Sequence, residues 1–273
     1  MYEGTQRWAI FKIVLQDPER YTRHVKNQYF GDVNDYRKYG LLRCLVQSSK
    51  LSLGICWLLT PSDARTDGEF RRYLQEPRKW RTYDPDLYDR LQQLRQPLTQ
   101  RDIAHADTWE LLPGATYFNG MLGDDSATRS VYFADALTAL KHCSMLFFDP
   151  DNGLEVPSKP VGRKSSSKYV YWREIEMAYS CGHSLVVYQH YPMHVKRVPF
   201  IERIAAECVR RLGAPLVDTF STPYVVFFLI ARPEHAEAFS EVHAAIAGKW
   251  PNQITPRAHV GVGPPQEKGF DDV

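Results

Sequence analysis

Apolar positions along the chain change period several times, and each change marks an element. From Asp35 to Gln47, the residues Tyr39, Leu41, Leu42, Leu45 and Val46 recur at helical spacing behind Asn34 or Asp35 in a cap position, which predicts a helix. Leu51 to Thr60 then runs apolar through Ile55, Cys56, Trp57, Leu58 and Leu59 and stops at Pro61, Ser62 and Asp63, the pattern of a buried strand. Helical character returns over Glu69 to Gln75 and Pro85 to Leu94. Leu98 to Gly123 has no clear period, so residues near 64–125 read as an elaboration of the core.

The carboxyl half is more regular. The pattern predicts a helix near Asp135 to His142, a strand over Met145 to Asp149, a loop rich in Lys, Gly and Ser, and a helix from Lys168 to Ser180 ended by Gly182. His183 to His190 reads as a strand, Val198 to Leu212 as an amphipathic helix closed by Gly213, and Leu216 to Phe220 and Val225 to Ala231 as two strands. Ser221, Thr222, Pro223 and Tyr224 alone join these two strands. A parallel crossover needs about a dozen residues or more, so this pair is expected to be antiparallel. Pro233 to Ala247 supplies a final helix, and residues 251–273, with Pro251, Pro256, Pro264 and Pro265, are expected to form a loose tail. The order of elements predicts a single α/β domain over residues 1–250, with a mainly parallel sheet and a terminal antiparallel strand pair.

Composition narrows the class. The 273 residues are 44% hydrophobic and 24% charged, which suits one domain with an ordinary core. No apolar run approaches the ~20 residues of a membrane helix. Glu3, Arg7, Lys12, Asp17 and Glu19 interrupt the amino end where a signal peptide needs an apolar centre, so a cytoplasmic location is expected. Cys44, Cys56, Cys143, Cys181 and Cys208 are odd in number and lack C-x-x-C spacing, which favours free thiols. The net charge of +2 does not by itself mark a nucleic-acid binder. Arg71, Arg72, Arg78, Lys79 and Arg81 do cluster with Tyr73, Trp80 and Tyr83. Such a stripe either tracks phosphates and stacks bases or is a solvated face with its rings packed inward.

Candidate chemistry gathers where Met145 to Phe148 breaks into Asp149-Pro150-Asp151-Asn152-Gly153. A buried strand ending this way delivers carboxylates and an amide to the rim of a sheet, although such side chains also bond local N–H groups. Lys38 and Tyr39, on the first helix, are placed to face the same cleft. Gly162 to Tyr169 contains Arg163, Lys164, Ser167 and Lys168, and a basic, hydroxyl-rich segment entering a helix suits phosphate binding. His190 ends the next strand as a candidate base or ligand. No P-loop, nucleophile elbow or His-Glu-x-x-His motif is present.

The alternation of strands and helices ending in an antiparallel pair resembles the Rossmann-like, three-layer fold of S-adenosylmethionine-dependent methyltransferases. Asp149-Pro150-Asp151-Asn152 sits where that superfamily carries an Asn/Asp-Pro-Pro-Tyr-type motif. Lys38-Tyr39 before the first strand and Tyr191-Pro192 after a later one look like the ribosomal RNA adenine-N6 methyltransferases and the three-Cys-motif partner proteins. The resemblance implies S-adenosylmethionine as cofactor, an amino group of adenine in RNA or DNA as acceptor, and catalytic roles for Asp149, Pro150, Asp151, Asn152 and His190. Lys38, Tyr39, Arg163, Lys164, Ser167 and Lys168 would then bind substrate. The first strand ends Leu59-Thr60-Pro61-Ser62-Asp63 in place of Asp/Glu-x-Gly-x-Gly, so the cofactor contacts fall to Thr60, Asp63, Asp67 and Gly68. Two other readings stand beside this one. In a Mg²⁺-dependent phosphoesterase or nuclease, Asp149, Asp151, Asp32 and Glu155 would hold the metal; the third reading is a non-catalytic nucleotide- or RNA-binding module.

Overall fold

The computed structural model describes Asn27 and residues 30–61, 70–97 and 99–260. Helix α1 (Val33–Ser49) starts where Asp32 accepts hydrogen bonds from the N–H groups of Asn34 and Asp35, and ends at Lys50 in a left-handed conformation. Strand β1 (Leu53–Cys56) follows, buried at every position. The remaining strands of the main sheet are β2 (Thr116–Phe118), β3 (Met145–Phe148), β6 (Ser184–His190), β7 (Leu216–Ser221), β8 (Val225–Ala231) and β9 (Thr255–Val260). Strands β4 (Gly153–Leu154) and β5 (Tyr169–Val170) form a separate parallel pair. The longer helices after α1 are α2 (Pro85–Leu91), α3 (Ser126–Ala139), α4 (Trp172–Ser180), α5 (Arg197–Leu212) and α6 (Val242–Lys249).

The sheet runs in the order β2, β1, β3, β6, β8, β7, β9. The first four strands pair in parallel, β8 is antiparallel to both β6 and β7, and β9 is antiparallel to β7. The short β7–β8 connection is thus antiparallel as the sequence predicts. Alternate residues of each strand enter two cores. Met145, Phe147, Val186, Phe227 and Leu229 pack with α1, α2 and α6, while Leu146, Phe148, Val187, Phe228 and Ile230 pack with α3, α4 and α5. The result is a three-layer, Rossmann-like α/β fold. Among the described residues no helix is long and apolar enough to cross a membrane.

Several expectations need correction. Thr255–Val260, inside the expected loose tail, is edge strand β9. Pro256 pairs with Phe220 there, and a proline is tolerated at an edge because no outer neighbour needs its missing N–H. Within the expected elaboration, β2 belongs to the main sheet, and Arg72–Gln75 forms only a 3₁₀ turn. Helix α3 begins at Ser126, capped by Asp125, well before Asp135. Helix α4 begins at Trp172, so Lys168 lies in the turn before it. The final helical segment is a 3₁₀ turn over Pro233–Phe239 followed by α6.

The aromatic residues of the basic stripe point inward. Tyr73, Trp80 and Tyr88 surround the Tyr36 ring, which also meets Trp250 at 4.9 Å between centroids. Gly40 permits this packing, because a Cβ there would lie 1.9 Å from the Trp250 indole.

Candidate functional site

Because β1, β3 and β6 are parallel and in register at Cys56, Phe148 and Val187, their carboxyl ends open on one side of the sheet. That crevice is where open α/β sheets bind ligands. Asp149 emerges at the end of β3, its N–H donating to the Cys56 carbonyl at 3.1 Å. Alternation places Asp149 on the same face as Met145 and Phe147, toward α1.

Lys38 reaches this carboxylate from the second turn of α1. Its ammonium donates to Asp149 Oδ2 at 2.7 Å and lies 2.8 Å from Asp35 Oδ1. It also sits 5.3 Å from the Trp57 ring centroid and 5.4 Å from that of Tyr39. Oδ2 is fixed by Lys38, and among the described residues no hydrogen bond reaches Asp149 Oδ1. Asp35 Oδ2 accepts from Gly31 N–H at 2.9 Å, and Asp32 accepts from the amides of Asn34 and Asp35.

This cluster carries more carboxylates than cations, and its electrostatics follow. Burial, reinforced by Asp35, raises the Asp32 carboxyl to about 7. Burial raises Asp149 to about 6 against the opposing attraction of Lys38. Burial alone would push the Lys38 ammonium down, but Asp149 and Asp35 outweigh it and hold it above the ordinary lysine value. Burial thus raises Asp32 and Asp149, while the surrounding carboxylates favour the charged form of Lys38.

Tyr39 borders the Lys38 cluster with its ring but is closed off from solvent. Its ring is fully buried, packed edge-on against Trp57 and tilted against Phe30, and its hydroxyl has no hydrogen-bond partner. Tyr188 on β6, which the sequence reading missed, stands in its place. The Tyr188 hydroxyl bonds His190 Nε2 at 2.9 Å, and burial followed by Asp149 raises it well above the ordinary tyrosine value. Its signal was its place between Val186 and His190 on the face of β6 that looks toward α1.

The turn after Asp149 is internally braced. Asp151 Oδ2 accepts from Thr60 Oγ1 at 3.0 Å, tying the ends of β3 and β1. Pro150 is buried. Asn152 N–H donates to the Lys168 carbonyl at 2.9 Å, and the Asn152 carbonyl accepts from Gln189 Nε2 at 3.2 Å. Gly153 has φ +115°, and a Cβ there would lie 2.4 Å from Gln189 Oε1, so glycine is required by both conformation and space.

The Gly162 to Tyr169 segment is not a helix amino terminus. Its amide donors are already taken, those of Ser165 and Ser167 by the Asp124 carboxylate at 2.8 and 2.7 Å. Burial opposes ionisation of Asp124, but these bonds hold its carboxyl below the ordinary value. Arg163 and Lys164 are exposed beyond it. Beneath the loop, fully buried Arg129 pairs with Glu174 through Nε to Oε1 and through Nη2 to Oε2 at 2.8 Å, and also donates to the Tyr169 carbonyl. Glu174 in turn accepts from Tyr171 N–H at 2.9 Å at the start of α4.

The four carboxylates of the metal reading are not gathered. Asp149 holds Lys38, Asp32 caps α1, Asp151 holds Thr60, and Glu155 accepts from Trp172 N–H at 3.3 Å. Among the described residues, no group of three His, Cys, Asp or Glu side chains is placed to hold a metal ion.

At the end of β1 the glycine turn that would admit S-adenosylmethionine is missing. Trp57 and Leu58 are buried in the cores, the Leu59 carbonyl accepts from Leu122 N–H at 2.8 Å, and the Thr60 hydroxyl is held by Asp151. These residues do not fit that mode of holding the cofactor. Asp63, Asp67 and Gly68 lie outside the described residues.

Fold and site together define a Rossmann-like α/β protein with a buried lysine–carboxylate cluster at the carboxyl ends of its parallel strands. Compared with models of known families, with curated proteins and with solved structures, the chain matches none.

Proposed function

We propose that the protein is a methyltransferase-like enzyme acting on an amino group, that of adenine in RNA or DNA. The observation that carries this reading is Asp149, anchored through Oδ2 to Lys38 at the end of β3, with no hydrogen bond to Oδ1 among the described residues. An exocyclic amine is a weak nucleophile that presents two N–H donors. A carboxylate oxygen and the carbonyl of the Pro150 turn are the acceptors that orient such a group, and orientation supplies much of a rate enhancement. Lys38 keeps the Asp149 carboxylate from rotating, and on the neighbouring strand β6 the Tyr188 hydroxyl is bonded to His190. The antiparallel β8 between β6 and β7 supports the methyltransferase comparison at the level of sheet order.

S-adenosylmethionine would supply an electrophilic methyl group. Because the described end of β1 does not fit the glycine-turn mode, no step is assigned through it. Titration calorimetry with S-adenosylmethionine and with Mg²⁺, alongside labelled-methyl transfer to oligonucleotides, tests the reading. Cofactor binding with transfer to adenine, lost in Asp149→Asn, is the expected result. Mg²⁺-dependent cleavage without cofactor binding would replace it with the phosphoesterase reading, and oligonucleotide binding alone would leave a binding module.

A further inference from the structure

Two large aromatic rings are exposed side by side at the crevice mouth. Phe70 and Tyr224 are 63% and 57% exposed, yet their centroids are 6.4 Å apart and their planes 18° from parallel. The chain places them there from opposite sides. The Phe70 carbonyl accepts from Val33 N–H at the start of α1, next to Asp32, and the Tyr224 carbonyl accepts from Tyr191 N–H, just beyond His190. The pair thus spans the gap between the α1 amino end and the β7–β8 hairpin, on the rim shared with the Asp149 cluster.

The cations beside the pair form no ion pair among the described residues, although Asp32 acts on Arg37 electrostatically. Arg37 is buried, and its guanidinium donates only to neutral amides: to Gln253 Oε1 at 3.1 and 2.8 Å and to Asn34 Oδ1 at 3.4 Å. The exposed Arg197 lies 4.8 Å above the Tyr191 ring, and Lys196 precedes it. Among the described residues none of these three forms an ion pair, whereas Arg81, Arg90, Arg210 and Arg211 each do.

We propose that Phe70 and Tyr224 form a stacking platform for an unpaired base of single-stranded nucleic acid, with the neighbouring phosphates drawn to Arg197, Lys196 and Arg37. The assignment rests on the nucleic-acid reading of the Asp149 site and adds how the strand is held. Flat exposed rings bind base faces, which a duplex keeps covered, and unpaired cations bind the backbone that follows. An acidic or apolar protein partner would not call for both features together.

Fluorescence anisotropy with labelled single-stranded RNA and DNA of about a dozen nucleotides, and with a duplex of the same sequence, tests the platform. Wild type should bind a single strand more tightly than the duplex. The Phe70→Ala/Tyr224→Ala double variant, checked for native circular dichroism, should weaken binding about 10-fold or more, while Tyr224→Phe should bind like wild type. Arg197→Ala should lower the salt dependence by about one released counterion. RNA against DNA affinity decides which strand is the ligand. Unchanged affinity in the double variant, preference for duplex, or no oligonucleotide binding by wild type would overturn the platform. Methyl transfer to some other amine would survive that result; conversely, platform-dependent binding without methyl transfer would sink the enzymatic reading alone.

Discussion

Lys38 and Asp149 meet at 2.7 Å although 111 residues separate them, so one ion pair joins the start of α1 to the end of β3. Both side chains are at least 85% buried; removing Lys38 strands Asp149, whereas Lys38 without Asp149 still has Asp35 at 2.8 Å. Breaking such a pair from one side typically costs about 3–5 kcal/mol. Lys38→Met should therefore lose stability on that scale in urea unfolding at pH 8, because it leaves Asp149 and Asp35 without their cation. Asp149→Asn, which keeps a hydrogen-bond acceptor for Lys38, should lose less. Equal midpoints for wild type and Lys38→Met would show that the pair does not hold the two elements together.

The pH dependence has a definite sign. Asp32 at about 7 and Asp149 at about 6 both lie above their unfolded value of 3.8, so the folded state binds more protons than the unfolded chain between about pH 4 and 7. These two groups make the protein more stable as pH falls through that window and less stable as it rises. Scanning calorimetry of Asp32→Asn and Asp149→Asn should show flatter profiles than wild type between pH 4 and 7. A wild-type slope retained in both variants would be inconsistent with the raised carboxyls.

Gly40→Ala should destabilise even though alanine favours a helix by about 1 kcal/mol. The added Cβ meets Trp250 atoms at 1.9 to 2.6 Å, and overpacking of this kind costs about 1–3 kcal/mol. Pairing it with Trp250→Leu, which removes the indole, should make the Gly40→Ala change nearly neutral in a double-mutant cycle. Additive losses would mean that the clash is absorbed elsewhere.

Arg129→Met should release the loop that carries Arg163 to Lys168. Arg129 is the common donor to Glu174 and to the carbonyls of Ser166 and Tyr169. Hydrogen exchange should rise across residues 163–171, with a global loss of about 3–5 kcal/mol from the unpaired Glu174. Unchanged exchange in that loop would assign its order to Asp124 alone.

What the sequence revealed follows from the range of each interaction. Strands β3 and β8 were legible because Met145–Phe148 and Val225–Ala231 are buried at every position, and the antiparallel pairing of β8 followed from the length of one connection. The start of α3 was hidden because its buried stripe is Arg129, Tyr132, Phe133 and Ala136, and a charged residue on the core face breaks the apolar period. Strand β9 was hidden because Pro256 reads as a breaker unless the strand is known to lie at an edge. Asp149 stood out at a strand end, but its contact with Lys38 depends on how α1 crosses the sheet. The loop's amides were hidden for a similar reason, since Asp124, far back in the chain, takes those of Ser165 and Ser167.

The position of β8 also bears on synthesis. During translation, β1, β3 and β6 emerge before the strand that will cover them, and Leu185 to Val187 present an open, apolar edge until Val225 to Ile230 arrive to pair with it. The nascent chain must hold that edge unpaired while α5 and β7 are made, since β7 belongs one strand further out. Truncation between His190 and Val225 leaves a sticky template for other chains, and the hairpin turn at Ser221 to Tyr224 is what delivers the missing strand into the gap.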